Sequence, residues 1–515
     1  MKRLVLGISA LVVLAIIAST VSAAPLAAIP NPGSASSIVV AQNTDASEDA
    51  TWLLDFIDSN GDSVSGAQQS GTLKPYVATA INTDDVTVLG SGWNGSAILS
   101  SDRELASVAM TVWTGGSGGD GSSAAEYAGF SQGYDQLTFP YAFNQNRVTQ
   151  ITIQNTGSSD QTFYYSFIDR RTGLQSGSTT TEVIPGGAQR THDVSDCGDS
   201  VVPTAVCTRP AEGSPSDDWW KGAVVVTSTQ EVVAGVATTH WDRWSGQYVG
   251  VPEADSGDEL IFPLFYRVKN TGGVFGENKD WHRYSDMNIA NPSLSATATI
   301  TVSLYKVTGE LSDSWSVDIP PGSSVAVNTR YGGTGTPSDW ATRWPTTLGA
   351  GWVGAAIVTS NMDIQGVCFN FWPQDHMDFV GGYNAITRAS GKDRLFFPAS
   401  HRSAGLAYYT QAQLQNTSAT TTTVDIYFYD RDQSSGGVGN ELYVLNNIEI
   451  PGNSSLSLNS KYNSAGFANN WFTNLGTTFD GSIVVITQDN PIAGIAYNIR
   501  TSPKRASAYN GIPLD

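Results

Sequence analysis

Short stretches of alternating apolar and polar residues follow one another along this chain, and their succession occurs four times. Alternation with a period of two predicts half-buried strands. The most regular copy is a paired run: Gly95 to Trp113, Gly222 to Trp241, Gly354 to Trp372 and Gly481 to Arg500. The starting glycines lie 127, 132 and 127 residues apart by subtraction of their numbers. A fixed period of that size predicts tandem domains, and the paired run reads as the core hairpin of each. No long window carries a 3.6-residue apolar period, so long helices are not expected.

The rest of each repeat follows the same order. A first strand ends at Asn43, Asn155, Asn291 or Asn416, where an asparagine side chain suits a turn by bonding the backbone two residues on. A second strand with alternating aromatic and β-branched residues leads into a polar hairpin turn. A strand broken by Pro75, Pro185, Pro320 or Pro451 comes next, then the paired run, then an exit led by Tyr127, Tyr248, Tyr383 or Tyr509. Leu137-Thr-Phe-Pro140, Leu260-Ile-Phe-Pro263 and Leu395-Phe-Phe-Pro398 open three of the repeats, and the first lacks this motif. The boundaries predicted are 1–23 for a signal peptide, 24–36 for a flexible leader, and 37–136, 137–258, 259–393 and 394–515 for the repeats. Roughly seven short strands per repeat predict β-sandwiches of immunoglobulin size. A closed propeller is the structural rival, although its common repeats are only ~40–50 residues long.

Aligning the four runs separates common positions from exceptions. An aromatic, Trp93, Trp220, Trp352 or Phe479, stands two residues before each glycine, which lets the chain pass close to the ring. Cys368 fills a slot held elsewhere by Ala109, Ala237 and Ala496, as a small buried thiol would. His240 aligns with Val112, Phe371 and Ile499 and reads as a packed or edge histidine. Trp113, Trp241 and Trp372 share one strand-end slot, and Arg500 departs from it. These indoles are either packing caps or a row of stacking platforms for sugar rings. The loops before the runs vary in length and carry Trp219, Trp220, Trp340, Trp344 and Trp471, and the third repeat adds Trp281. Such loops usually carry recognition. Trp113, Trp241, Trp372, Trp281, Trp340 and Trp344 are therefore the candidate ligand-binding residues.

Composition adds compartment and limits the chemistry. Charged residues are only 14% of the chain, which argues against long solvated helices. Lys2 and Arg3, an apolar run from Leu4 to Ile17 and a small-x-small site at Val21-Ser22-Ala23 predict a secretory signal peptide. An uncleaved anchor is the alternative, but the run is shorter than the ~20 residues of a spanning helix. Without Lys2 and Arg3 the chain keeps 25 basic against 47 acidic residues, which disfavours nucleic acid and anionic lipid as partners. Cys197 and Cys207 predict a disulfide in an exported chain.

Other motifs are weaker. Asp58, Asn60 and Asp62 space oxygen ligands like the start of a calcium loop, so calcium is the one cofactor left open. The other repeats carry a plain hairpin turn at that place. Gly115 to Gly119 matches G-x-S-x-G but lacks the strand–turn–helix context of a nucleophile elbow. The five histidines are scattered among the repeats, and Asp375, His376 and Asp378 form the best polar cluster.

The asparagine-ended strand, the Pro-Gly turn and the aromatic-x-Gly run together resemble the immunoglobulin-like tandem repeats of secreted and cell-surface bacterial proteins. The resemblance covers about residues 37–515. It implies export, a string of β-sandwiches and a structural or adhesive role, and it brings over no catalytic residues. The expectation is an all-β, non-enzymatic extracellular protein of four tandem immunoglobulin-like sandwiches. Its partners would be its own copies, other envelope proteins or glycans. The alternative is a carbohydrate-binding protein that uses the tryptophans above.

Overall fold

The architecture was determined as a computed structural model. It describes residues 11–16, 33–115, 122–144, 147–208, 219–241, 244–269, 281–373, 379–388, 393–403, 407–431, 440–461, 475–476, 478–502 and 504–514. Strands hold 64% of the residues and helices 5%, so the fold is all-β as expected.

The strands pair in one recurring order. In the second repeat Gln189–Asp193, Val148–Asn155, Val233–His240 and Ser245–Val249 form one sheet. Thr180–Ile184, Gln161–Asp169, Lys221–Ser228, Gln136–Phe143 and Val251–Pro252 form another. The inward residues of both, among them Phe139, Ile151, Phe163, Val224 and Ala237, are fully or almost fully buried. The third repeat fuses its two sheets through one long strand, Gly351–Trp372.

The paired run is not a hairpin. Gly95–Ser101 and Leu105–Gly115 lie in different sheets, as do Lys221–Ser228 and Val233–His240. Both halves are apolar on their inward sides, and each half lies against strands distant in sequence. The run therefore crosses between layers, linking the two sheets of its repeat.

The four asparagines act alike. Each buried amide donates to two backbone carbonyls: Asn43 to Glu48 and Leu73, Asn155 to Ser159 and Ile184, Asn291 to Ala296 and Ile319, Asn416 to Thr420 and Ile450. Each Oδ1 accepts from the backbone N–H two residues on. The side chain thus closes its own turn and ties the strand end to the Pro-Gly strand. The aromatic-x-Gly step has an equally direct cause. A Cβ on Gly354 would lie 1.9 Å from the Tyr305 carbonyl oxygen and 2.7 Å from the Trp352 ring.

One boundary expectation in the N-terminal region is corrected, and the first repeat, which does lack the junction motif, has another strand in its place. The first strand starts at Gly33, inside the expected leader, because Gly33–Ser36 pair with Val112–Gly115. The place of the junction motif in the first repeat is also filled. Leu11–Ile16 pairs with Gly95–Ser101, with Val12 opposite Leu99. This is the position that Leu137, Leu260 and Leu395 take opposite Val226, Val358 and Val485.

The repeats do not trail off as a string. The exit strands Ser122–Ala128, Ser245–Val249, Phe379–Asn384 and Lys504–Asn510 pack side by side in a cycle, the last against the first. The junction contacts recur around it. Ser96 Oγ donates to the Gly187 carbonyl of the second repeat at 3.0 Å, and Ser482 Oγ donates to the equivalent Tyr76 carbonyl of the first at 3.0 Å. Gln154 and Gln42 donate to the same two carbonyls at 3.1 and 2.9 Å. The hairpin turns also reach forward. A Cβ on Gly61, Gly173 or Gly309 would lie 2.2, 2.0 or 2.4 Å from a turn carbonyl oxygen of the next repeat (Gly186, Pro321, Gly452).

Candidate functional site: the axial cavity

The four exit strands surround a cavity of about 190 Å³ on the axis of the cycle. Its polar lining includes Glu126, Gln247, Asp255, Asn384 and Asn510.

The exit tyrosines fix these strands. Tyr248 OH donates to the Tyr141 carbonyl at 2.8 Å, Tyr383 OH to Leu264 at 2.6 Å and Tyr509 OH to Ala399 at 2.8 Å. All three acceptors directly follow the proline of the junction motif. Proline cannot donate to a neighbouring strand, and the pairing register shifts at each of these prolines. The hydroxyl pins the chain where its ladder is interrupted.

Asparagines stitch neighbouring exits. Asn384 donates to the Val249 carbonyl at 2.7 Å and accepts from its N–H at 3.1 Å. Asn510 repeats both bonds on the backbone of Asn384. Ala128 holds this position in the first repeat and Val249 in the second. The seam between the last and first repeats is closed differently. Both carboxylate oxygens of the fully buried Glu126 accept from Asn498 Nδ2 at 3.0 Å. Burial is the main influence on Glu126 and pushes its pKa up to about 7, against the opposing bonds from Asn498 and Ser507. The cavity wall therefore carries a carboxyl that gains and loses its proton near neutrality.

The tryptophan slot proves to be a junction. Trp113 sets its edge on His240 of the second repeat at 5.3 Å. Trp241 packs on Phe369 and Phe371 of the third at 5.1 and 5.4 Å. Trp372 packs on Tyr497 of the fourth at 5.1 Å. All three indoles are buried, and Arg500, at the seam that lacks such a ring, is exposed. Trp281 is buried beside Tyr284, with Lys269 and Arg267 over its ring. Trp344 is buried between Trp315 and Trp340, on the short helix Trp340–Thr347, and Trp340 is half-buried. As sugar platforms, five of the six rings have no open face.

Asp58, Asn60 and Asp62 build a turn. Asp58 Oδ1 accepts from the N–H groups of Asn60 and Asp62 at 2.8 and 3.0 Å. No group of three metal-ligating side chains occurs among the described residues. The disulfide joins Cys197 to Cys207. Nearby, His192 is held between Asp199 at 2.9 Å and Glu182 at 3.1 Å. Burial disfavours its charged form, but the two carboxylates outweigh it and raise its pKa to about 9. His240 is buried without a carboxylate, which lowers its pKa to about 4. Burial likewise pushes the Cys368 thiol up, away from the reactive thiolate. The Asp375, His376 and Asp378 cluster, Trp471 and Gly116–Gly119 lie outside the described residues.

Nothing in the alternation marked Glu126. Its alignment mates are Gln247, Gly382 and Ala508, three unlike residues. Asn498 was more legible, because Thr111, Thr239, Asn370 and Asn498 make one polar slot inside an apolar strand.

No family model matches the chain, and no curated protein matches it.

Proposed function

We propose that this is a non-enzymatic, secreted or cell-surface structural protein, built from four immunoglobulin-like β-sandwich units closed into a ring. The units meet near residues 137, 259 and 394, and a signal peptide ending at Ala23 directs export. One observation carries the reading. Residues that recur from repeat to repeat, the slot tryptophans, the forward-reaching hairpin glycines and the Ser–carbonyl bonds, serve the junctions between repeats. A rigid acidic ring suits a component that displays its outer loops to its own copies, to other envelope proteins or to glycans.

Small-angle scattering and fractionation test this together. A compact particle of this size has a radius of gyration of about 23 Å, and a string of four units would be far longer. The protein should be recovered from the envelope or the medium and should turn over no polysaccharide or peptide substrate. An elongated particle, or turnover by pure protein, would sink the proposal.

A glycan-binding reading is favoured at one place. Tyr331 is 64% exposed, and its neighbour Gly332 lies against the half-buried Trp340. Retention on a cell-wall glycan gel that Tyr331→Ala abolishes would support it.

A further inference from the structure

Four backbone positions around the axis are equivalent, and the chain answers only two of them. Facing residues in an antiparallel ladder either exchange both backbone bonds or turn both groups outward, in alternation. The N–H groups of Gly129, Gly250, Ala385 and Gly511 bond the carbonyls of Ser107, Gly235, Gly366 and Gly494 opposite them. One residue earlier, Ala128, Val249, Asn384 and Asn510 face Val108, Val236, Val367 and Ile495 in the other kind of pair. Their N–H and C=O groups therefore point away from their own sheet, to the exit strand of the next repeat.

Two of these outward pairs meet a carboxamide. Asn384 takes both groups of Val249, at 3.1 and 2.7 Å, and Asn510 takes both groups of Asn384, at 3.1 and 2.8 Å. By the same geometry Val249 stands before the pair of Ala128, and Ala128 before the pair of Asn510. Neither has a polar side chain, and among the described residues none bonds the N–H or C=O of Ala128 or of Asn510. Backbone groups inside a fold are almost always paired, so such a pair calls for a partner. Val249 fills its place with an isopropyl group packed against two cores. Ala128 is shorter than asparagine by a whole carboxamide. It and Asn510 are half-buried, and both line the axial cavity.

We propose that the axial cavity binds a small molecule carrying a primary carboxamide, which sits between Ala128 and Asn510 and makes the two bonds that an asparagine makes at the neighbouring seams. The carboxamide presents an N–H and a C=O on one edge, which answers the Asn510 carbonyl and N–H together. A carboxylate lacks the donor and would share the cavity with Glu126 and Asp255, and an ammonium group lacks the acceptor. Val251, Ile386 and Pro513, on the same wall, suit an apolar substituent on the amide.

The test titrates propionamide into the full chain, nitrogen-labelled at alanine and asparagine, and follows the backbone amides by NMR. Propionamide should shift the Asn510 amide saturably, whereas propionate and N,N-dimethylpropionamide, which lack the donor, should not. Ala128→Asn supplies the carboxamide from the chain itself. It should abolish the shift and slow exchange of the Asn510 amide about tenfold, the worth of one hydrogen bond. Ala128→Val fills the same space without an amide. It should abolish the shift and leave that exchange fast, so the site stays testable if the asparagine variant misfolds. A parent-like melting temperature establishes that a variant is folded. A shift that never saturates, or none at all, would mean that only solvent occupies the place and overturns the proposal. Equal shifts with N,N-dimethylpropionamide, or a shift that survives in Ala128→Val, overturn it as well.

Discussion

The seam between the last and first repeats should loosen as the pH rises, and Glu126 sets the size of the effect. Its carboxyl is fully buried with a pKa raised to about 7, against 4.5 for a free side chain. Below pH 4.5 the group is protonated whether the chain is folded or not, and it contributes no difference. Between 4.5 and 7 the unfolded chain releases the proton while the folded chain keeps it, so stability falls. Above 7 the full penalty applies. Each tenfold change in proton affinity is worth about 1.4 kcal/mol, so the whole penalty is about 3 kcal/mol. Glu126→Gln keeps the shape and cannot ionise. Urea unfolding of both proteins at pH 5, 6, 7 and 8 isolates the effect, because every other titrating group cancels in the difference. The glutamine variant should gain on the parent steadily across this range, by about 3 kcal/mol at its end. A difference that stays flat with pH would refute the reasoning, since Glu126 would then be solvated or already ionised in the fold.

The other predictions concern the junctions and the second repeat. Trp241→Ala removes a buried indole from between two repeats and should cost about 3–5 kcal/mol in chemical unfolding; a loss under about 1 kcal/mol would mean the ring is not part of the junction. Gly173→Ala places a methyl 2.0 Å from the Pro321 oxygen at φ +67°, whereas Gly90→Ala, at φ +71°, meets nothing within 4 Å. Melting should therefore show Gly173→Ala well below Gly90→Ala, which carries only the backbone cost of about 1–2 kcal/mol; equal melting points would deny the contact. His192 has its pKa raised to about 9, so its stabilisation is complete below pH 6.5 and lost between 6.5 and 9. His192→Gln should lower stability at pH 6 and converge on the parent above pH 9. Reducing the disulfide should cost about 2–4 kcal/mol and lower the melting temperature measurably.

Local structure was largely legible from the chain. The asparagine turns, the aromatic-x-Gly steps and the all-β class follow from contacts within one repeat, and residue type plus spacing is enough to write them down. The crossing of the paired run between sheets was not legible, because alternation describes one strand face and says nothing of its partner. The ring was hidden for a related reason. Trp113, Trp241 and Trp372 look the same whether they cap a core, stack on sugar or fill a junction, and only the neighbour distinguishes these roles. The departure at Arg500 was the available clue, since a series of four that breaks once fits four seams of which one differs. The pairing of Leu11–Ile16 was masked by its apolarity, which serves a signal segment and a strand equally well.

That odd seam decides how the ring would bear load. Three neighbouring pairs are joined by the polypeptide and by a buried indole. The fourth pair has no covalent link, and hydrogen bonds such as those of Asn498 to Glu126 and of Ser482 to Tyr76 cross it beside apolar contacts. The molecule is a bracelet with a clasp. Tension drawn between the two halves of the clasp would open it before it reached any tryptophan junction. The units would then swing apart still folded, turning a compact disc into a tether several times longer without unravelling a single sheet.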